Sequence, residues 1–457
     1  MKSNTLFYKI ERASKAITIL LLMVGSTFTI AQTGDNSPYS RFGIGDLADD
    51  AFQNQKQMSG LGNAYTDAFH INIKNPASYS YLRTTAFDIG IYAKKGTLET
   101  SELTASQWTG NLEYISLGFP LYNPLNQLLD REKKNISLGM AFTLKPHSTV
   151  SYDIATESSI DSVGSVLRSY TGEGGSYKFL WGNSIKYKNL SFGVNLGYLF
   201  GKISYNRNID FFELENSRVN RFSTDYSLKG FLYDIGLIYS KVLNTKEIEK
   251  NNQAQVKTLN VGLTFNSATS FSTSSNIENL GVLFLSNQTI VDTSFTSVTN
   301  QEGRGRLPGS FGLGVNYANG EKWGLGVDYT AANWSSYFND GNEEPEGRLA
   351  NTQSIALGGF IRPNYKSFSN YWKRVYYRFG LYNREDPRIV NGQQIKSQGV
   401  TFGMGLPFVF QRKVSHVNLG VDLGRSGMNT GIEENYIRLT LGFTFNDDEW
   451  FVKRKYN

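Results

Sequence analysis

Three histidines, His70, His147 and His416, are the only imidazoles in a chain of 457 residues, and cysteine is absent. That inventory limits the available chemistry. Without cysteine there is no disulfide framework, no thiolate zinc site and no sulfur nucleophile. No two histidines stand at metal-ligand spacing, and no Ser/His/Asp arrangement can be argued from their positions. Each reads more simply as a surface or lumen histidine than as a catalytic one. The run Gly172–Gly175, GEGG, lacks the strand–loop–helix setting and the lysine of a phosphate-binding loop, so it reads as a flexible loop. Neither an enzyme nor a cofactor is expected, and no metal site.

The remaining chemistry is charge. Asp88, Glu113, Asp328 and Asp422 fall on the polar positions of alternating segments, as do the cations Lys94, Arg378 and Arg438. Facing a wet lumen, such groups either form a charged constriction that selects solutes or pair with one another across it. Both readings require a wall of strands to hold them.

That wall is written in period 2. Phe87, Ile89, Ile91 and Ala93 alternate with Asp88, Gly90, Tyr92 and Lys94. The pattern recurs at Ile136–Thr143, Leu190–Phe200, Phe311–Tyr317, Val417–Gly424 and Arg438–Phe445. One such strand would suit a soluble sandwich equally well. Fourteen starts can be placed, near 86, 112, 136, 177, 190, 222, 258, 309, 323, 353, 373, 398, 415 and 436. The segments run to about nine to eleven residues, the length of a membrane-crossing strand. An even count suits a single-chain bacterial barrel. If the first strand runs outward, the inner connections are mostly short. The outer ones (95–111, 144–176, 201–221, 267–308, 332–352, 383–397 and 425–435) are longer and rich in Ser, Thr, Asn and Asp. The stretch 273–295 within the fourth outer loop has the look of an extra hairpin. Trp334 and Tyr337, just after an outward strand, are expected in an outer aromatic girdle.

Composition agrees. Glycine is abundant at 45 residues, and Tyr and Phe supply 27 and 30. No apolar run long enough for a membrane-spanning helix follows the N-terminus. Lys2, Lys9, Arg12 and Lys15, the apolar stretch Ala16–Ile30 and Thr29-Ile30-Ala31 before Gln32 read as a secretory signal. Without it the net charge falls from +6 to +3, which gives no electrostatic case for nucleic acid. The expected organisation is a signal at 1–31, a plug at 32–85, a barrel at 86–445 and a periplasmic tail at 446–457.

Between signal and strands lies Ser59–Leu82, SGLGNAYTDAFHINIKNPASYSYL, with no period of its own. Gly60 and Gly62 permit close backbone approach. Pro76 fixes a turn and biases Asn75 toward an extended conformation. Followed by a closed barrel, this stretch is placed to fold back inside as a plug. Because the polar face is largely Gly, Ser, Thr and Asn, the lumen suits a plug better than an apolar pocket.

Gly60-Leu61-Gly62-Asn63-Ala64 followed by Asn75-Pro76-Ala77 resembles the hatch of the FadL-type (OmpP1/FadL/TodX) family of outer-membrane β-barrels. Leu307-Pro308, Trp323 and Asp328–Ser335 resemble a later hairpin of that family. The style is similar to Bacteroidota members, and to PorV-type barrels of protein secretion. The resemblance implies a 14-stranded antiparallel transmembrane barrel in the bacterial outer membrane. It also implies a hatch at Gly60, Gly62, Asn75, Pro76 and Ala77 and passive transport of hydrophobic small molecules. The alternative it implies is a non-transporting accessory subunit of an outer-membrane protein assembly or secretion complex. Such a subunit would meet other membrane proteins through periplasmic segments 121–135 and 244–257 and the tail. Expected partners are therefore outer-membrane lipid, a hydrophobic ligand and other outer-membrane proteins.

Overall fold

Residues with β-branched and aromatic side chains at alternate positions favour a pleated, half-buried ribbon, and here they build one continuous antiparallel wall. The computed structural model describes residues 37–448 except 102, 122–134, 162–163, 212, 214–216, 252–253, 286–287 and 411–412. The signal, most of connection 121–135 and the tail beyond Asp448 lie outside the described residues.

The wall comprises β1 (Thr85–Glu99), β2 (Thr104–Pro120), β3 (Ile136–Ile160), β4 (Gly164–Tyr187), β5 (Leu190–Phe211) and β6 (Val219–Val242). Next come β7 (Lys257–Asn266, continued by Thr269–Leu285) and β8 (Gln288–Leu307, continued by Ser310–Asn319). The remainder are β9 (Trp323–Ala332), β10 (Thr352–Ile361), β11 (Tyr376–Val390), β12 (Gln393–Phe410), β13 (Lys413–Ser426) and β14 (Glu433–Asp447). Every strand pairs antiparallel with its sequence neighbour. β14 pairs with β1 from Glu433↔Glu99 to Asp447↔Thr85, so the sheet closes with fourteen strands. Closure satisfies the wall's backbone groups internally, which a membrane-crossing sheet requires.

The apolar faces point outward. Ile91, Phe402, Val421 and Leu439 are all solvent-accessible, Phe402 to 55%. A soluble sandwich would bury these residues; exposed all round the wall, they form a lipid-facing surface. The polar faces point inward, toward residues 37–84.

Four expectations change. The outer connections are mostly strand, not loop: β3 and β4 pair from Ile136↔Tyr187 to Ile160↔Gly164, with one register shift between Pro146 and Ser148. Beyond the bilayer both faces meet water, so the alternation that marks a strand in sequence disappears although the ladder continues. The stretch 273–295 forms part of a hairpin that extends β7 and β8, with Thr269↔Leu307 at its base. The GEGG run lies within β4, where Gly172 packs on the ring of Tyr152 and Gly174 takes a φ of +105°. Trp334 and Tyr337 are not in a girdle. They are 8% and 1% exposed and join a core with Ile44, Tyr226 and Phe271, because a short 3-10 turn (Trp334–Ser336) folds them inward. Segment 244–257 carries a short helix, Thr245–Lys250.

Candidate functional site

The site is the contact between residues 37–84 and the lumen wall. A short helix, α1 (Gln53–Lys56), opens the central part. Ser59 and Gly60 then take positive φ, +58° and +82°, and end it, with the Gly60 amide donating back to the Gln55 carbonyl at 2.9 Å. Further on, Pro76–Tyr81 forms a 3-10 helix. Asn75 is extended, as a residue before proline must be, and its side chain caps this helix by accepting the Ala77 amide at 3.0 Å.

The chain between them circles the lumen, and wherever it meets the wall it meets glycine. Gln53 lies against Gly442 and Gly90, Gln57 against Gly420 and Gly403, Met58 against Gly380 and Gly358, and Leu61 against Gly326. Asn63 lies against Gly314 and Gly262, Asn75 against Gly236, Pro76 against Gly193, Tyr79 against Gly182 and Gly139, and Ile71 against Gly118. Each of the fourteen strands supplies one of these glycines. Several are direct cross-strand partners: Gly90↔Gly442, Gly193↔Gly236, Gly262↔Gly314, Gly326↔Gly358 and Gly403↔Gly420. A Cβ on Gly358 would lie 2.7 Å from the Met58 carbonyl oxygen, and one on Gly262 would strike the Asn63 backbone. The belt is the space in which the inner chain fits.

Polar bonds fasten it there. Asp328 of β9 accepts the amides of Gly62 and Asn63 at 2.8 and 2.9 Å and pairs with Lys74 at 3.3 Å. The Asn63 amide group donates to the carbonyls of Leu313 and Tyr329, both at 3.2 Å, and Thr264 donates to its oxygen at 3.2 Å. Asn75 donates to the Asn63 carbonyl at 2.5 Å and to the Leu237 carbonyl of β6 at 3.2 Å. Asp50 pairs with Lys145 and Lys178, each at 2.7 Å, and Asp49 with Arg384 at 3.1 Å. Burial alone would raise both carboxyls. The cations overrule it: Asp50 is held well below the usual carboxylate range and Asp49 at about 2. Asp67 follows the same rule. Burial would raise it, but His70 and the Phe69 amide hold it low.

Of the charges expected in the lumen, Glu113 and Arg378, like Asp328, reach this chain, while Asp88, Asp422 and Lys94 bond within the wall. Glu113 pairs with Lys56 at 2.5 Å, with Arg438 3.9 Å away, and Arg378 donates to Gln57 at 2.8 Å and to Asn418 at 2.7 Å. Asp422 accepts from Tyr382 at 2.8 Å. Asp88 is buried among wall groups and accepts from Tyr114 and Thr444, each at 3.2 Å. Lys94 pairs with Glu434 at 2.6 Å. Ala77 and Pro76 are buried on the belt. His70 and His416 meet with ring centroids 4.8 Å apart, which no sequence spacing indicated, whereas His147 stands apart in β3. Apolar packing adds to these contacts: Phe52 stacks on Tyr114 at 3.8 Å, and Ile71, Ile73, Tyr79 and Leu82 share its cluster.

The free space inside is lined by charged and apolar groups together. A cavity of about 310 Å³ on the long-strand side is lined by Asp46, Lys56, Glu113, Arg388, Asp422 and Arg438, among others. The apolar hollow of about 720 Å³ lies on the outer wall instead. Sequence reading missed Asp49, Asp50, Lys145, Lys178 and Arg384, because a charge outside an alternating segment, or at the end of one, carries no sign of its partner. The belt did leave a signal: a glycine near the middle of the polar face of strand after strand.

A family model described as BamG matches residues 13–457. No curated protein matches. Among solved structures, a FadL homologue of Pseudomonas aeruginosa aligns with a TM-score of 0.52 and 10% identity, over 88% of this chain and 99% of that one. The toluene transporter TodX of P. putida aligns with a TM-score of 0.52 and 12% identity, over 88% and 99%. A deltaS2 mutant of TodX, described as a monoaromatic hydrocarbon channel, reaches 0.54 at 13% identity, over 89% and 99%. At such identities the likeness establishes the fold.

Proposed function

We propose a function from one premise: this chain belongs to the BamG family. In this reading the barrel is a closed, non-transporting subunit of an outer-membrane protein assembly complex, and its inner chain is a permanent stopper. One observation carries the reading: the inner chain touches a glycine of every wall strand. Opening a path would break contacts around the whole circumference, not at one hinge. The lumen charges also support it, since Glu113, Asp328 and Arg378 hold the stopper in place and do not line an open path. The turns at the short-strand rim, with segment 244–257 and its helix, would face the periplasm and offer the docking surface.

A second reading is passive uptake of hydrophobic small molecules, with Gly60, Gly62, Asn75, Pro76 and Ala77 as a moving hatch. The fold shared with the toluene transporter TodX favours it. A cross-link separates the two. The Ser59 and Thr401 hydroxyls stand 3.1 Å apart, and the chain has no cysteine of its own, so a Ser59→Cys/Thr401→Cys pair gives one defined disulfide. The stopper reading expects the oxidised variant to support normal levels of other outer-membrane proteins. If oxidation abolishes uptake of toluene-like solutes and reductant restores it, the stopper reading fails and the hatch stands.

A further inference from the structure

Two buried imidazoles take no part in fastening the inner chain to the belt. His70 of the inner chain and His416 of β13 are 2% and 1% exposed. Nε2 of His70 and Nδ1 of His416 are buried and have no hydrogen-bond partner among the described residues. The two rings meet where the inner chain leaves the lumen. There the Arg83 amide donates to the Ala68 carbonyl at 3.0 Å, and Asn446 of β14 donates to the Phe69 carbonyl at 2.8 Å and the Thr84 hydroxyl at 3.1 Å. The turn 65–70 is thereby tied to the start and the end of the wall. One carboxylate stands beside the pair, and it serves one member. Asp67 lies 3.1 Å from Nδ1 of His70 and accepts from the Tyr65 hydroxyl at 2.7 Å and the Phe69 amide at 2.8 Å. His416 is bordered by the rings of Phe69 and Tyr376, at 5.9 and 6.0 Å. Over Tyr376 lie the guanidinium groups of Arg362 and Arg378, 4.4 and 4.9 Å from its ring centre. Glu321 is paired with Arg362 at 2.5 Å, and Asp88 of β1, which faces the charge of His70, is held by Tyr114 and Thr444.

We infer that His70 and His416 form an acid-sensitive latch on the turn 65–70. With the turn in place, a proton on His70 is balanced by Asp67. A second proton, on His416, would set two cations in rings 4.8 Å apart in a buried space, with Arg362 and Arg378 adding to the repulsion. With the turn lifted, His416 meets water at the short-turn rim and takes up a proton as a free imidazole does, near pH 6.5. The lifted state therefore binds more protons. The turn is held above about pH 6.5 and loosens as pH falls below it. The belt contacts, at residues 53–63 and 71–79, lie outside the turn. The latch therefore releases the exit of the inner chain without opening the lumen, and it operates in a stopper and in a hatch alike.

The test is hydrogen exchange in the full chain, purified in mild detergent and compared at about pH 7.5 and 5 with correction for intrinsic rate. Uptake of one proton by a group with a free value of about 6.5 should raise exchange in residues 65–70 by roughly thirtyfold over that interval. Residues 53–63 and the strands should stay protected. His416→Phe, which keeps a ring and cannot be charged, should abolish the rise. His147→Phe, in β3, should leave it intact. Exchange in 65–70 unchanged over the interval, a rise that survives His416→Phe, or a rise spread equally over turn, belt and wall would each overturn the inference. If His416→Phe does not give the heat-modifiable folded band, the unmutated chain decides. It has three histidines, so its labelled imidazole carbons give separable resonances. The His416 resonance should move with the same midpoint as the exchange, and a His416 that stays neutral through the exchange step overturns the latch.

Discussion

At the scale of single residues, Asp328 is the tightest fastening of the inner chain. One carboxylate satisfies two backbone amides and an ammonium, and it is 4% exposed. Its removal leaves both amides buried without a partner and takes the counter-charge from Lys74, which keeps only its bond to the Gly60 carbonyl, a situation that costs several kcal/mol. Asp328→Ala should therefore loosen residues 60–75 by about 3 kcal/mol, read as lost hydrogen-exchange protection there while the strands stay protected. Asp328→Asn, which keeps an acceptor, should cost less. The acidic groups set a pH window. Asp49, Asp50 and Asp67 have folded pKa values below their unfolded ones, so their contribution is fully present above about pH 4. It is lost as pH falls through the folded values, with Asp49 the first to protonate near 2. Exchange in residues 45–50, corrected for intrinsic rate, should rise reversibly as pH falls from about 4 to 2. Exchange unchanged across that interval would contradict this.

At the scale of elements, the glycine belt decides how close the inner chain can lie. A side chain at a belt position must push that chain away or deform the ladder, and overpacking of this kind costs about 1–3 kcal/mol. Gly262→Ala and Gly358→Ala should therefore lower thermal stability, with the loss read first as protease access to residues 53–64. Gly281→Ala is the control, because a Cβ there has nothing nearer than 3.3 Å and that neighbour is an arginine side chain. Equal effects at belt and control positions would show that the loss comes from strand backbone freedom and not from the contact. The belt was half legible. The alternating segments showed glycines at Gly90, Gly139, Gly193 and Gly314 on the polar face, and a polar face of small residues suits a packed lumen. What could not be read was their alignment at one height, because register depends on how far each strand runs past the bilayer.

At the scale of the whole molecule, the barrel and its contents separate cleanly. The ladder closes on itself through β14 and β1, so the wall does not need residues 37–84 to satisfy its backbone. Deleting residues 45–80 should leave a heat-modifiable barrel and turn a silent protein into one that conducts ions steadily in planar bilayers. If the intact chain conducts as well as the deletion, the lumen is open to ions and the inner chain is no stopper.

The fold was written in the sequence because a barrel is a local pattern repeated: period 2, a strand length matched to a bilayer, an even count and short turns at one end. These survive reading one segment at a time, and they led to fourteen strands and to strand starts close to the observed ones wherever a strand begins at the short-turn rim. Starts at the other rim were read late, at 112 for Thr104 and 177 for Gly164, since water on both sides erases the pattern. The partners of Asp49, Asp50, Asp328 and Arg378 were decided only by the tertiary structure. Those contacts join residues tens to hundreds of positions apart, across a lumen whose width and stagger no local pattern encodes. The sequence alone determined that there is a barrel and what must lie near its entrance; only closure brought every strand's glycine to the same height and showed what they hold.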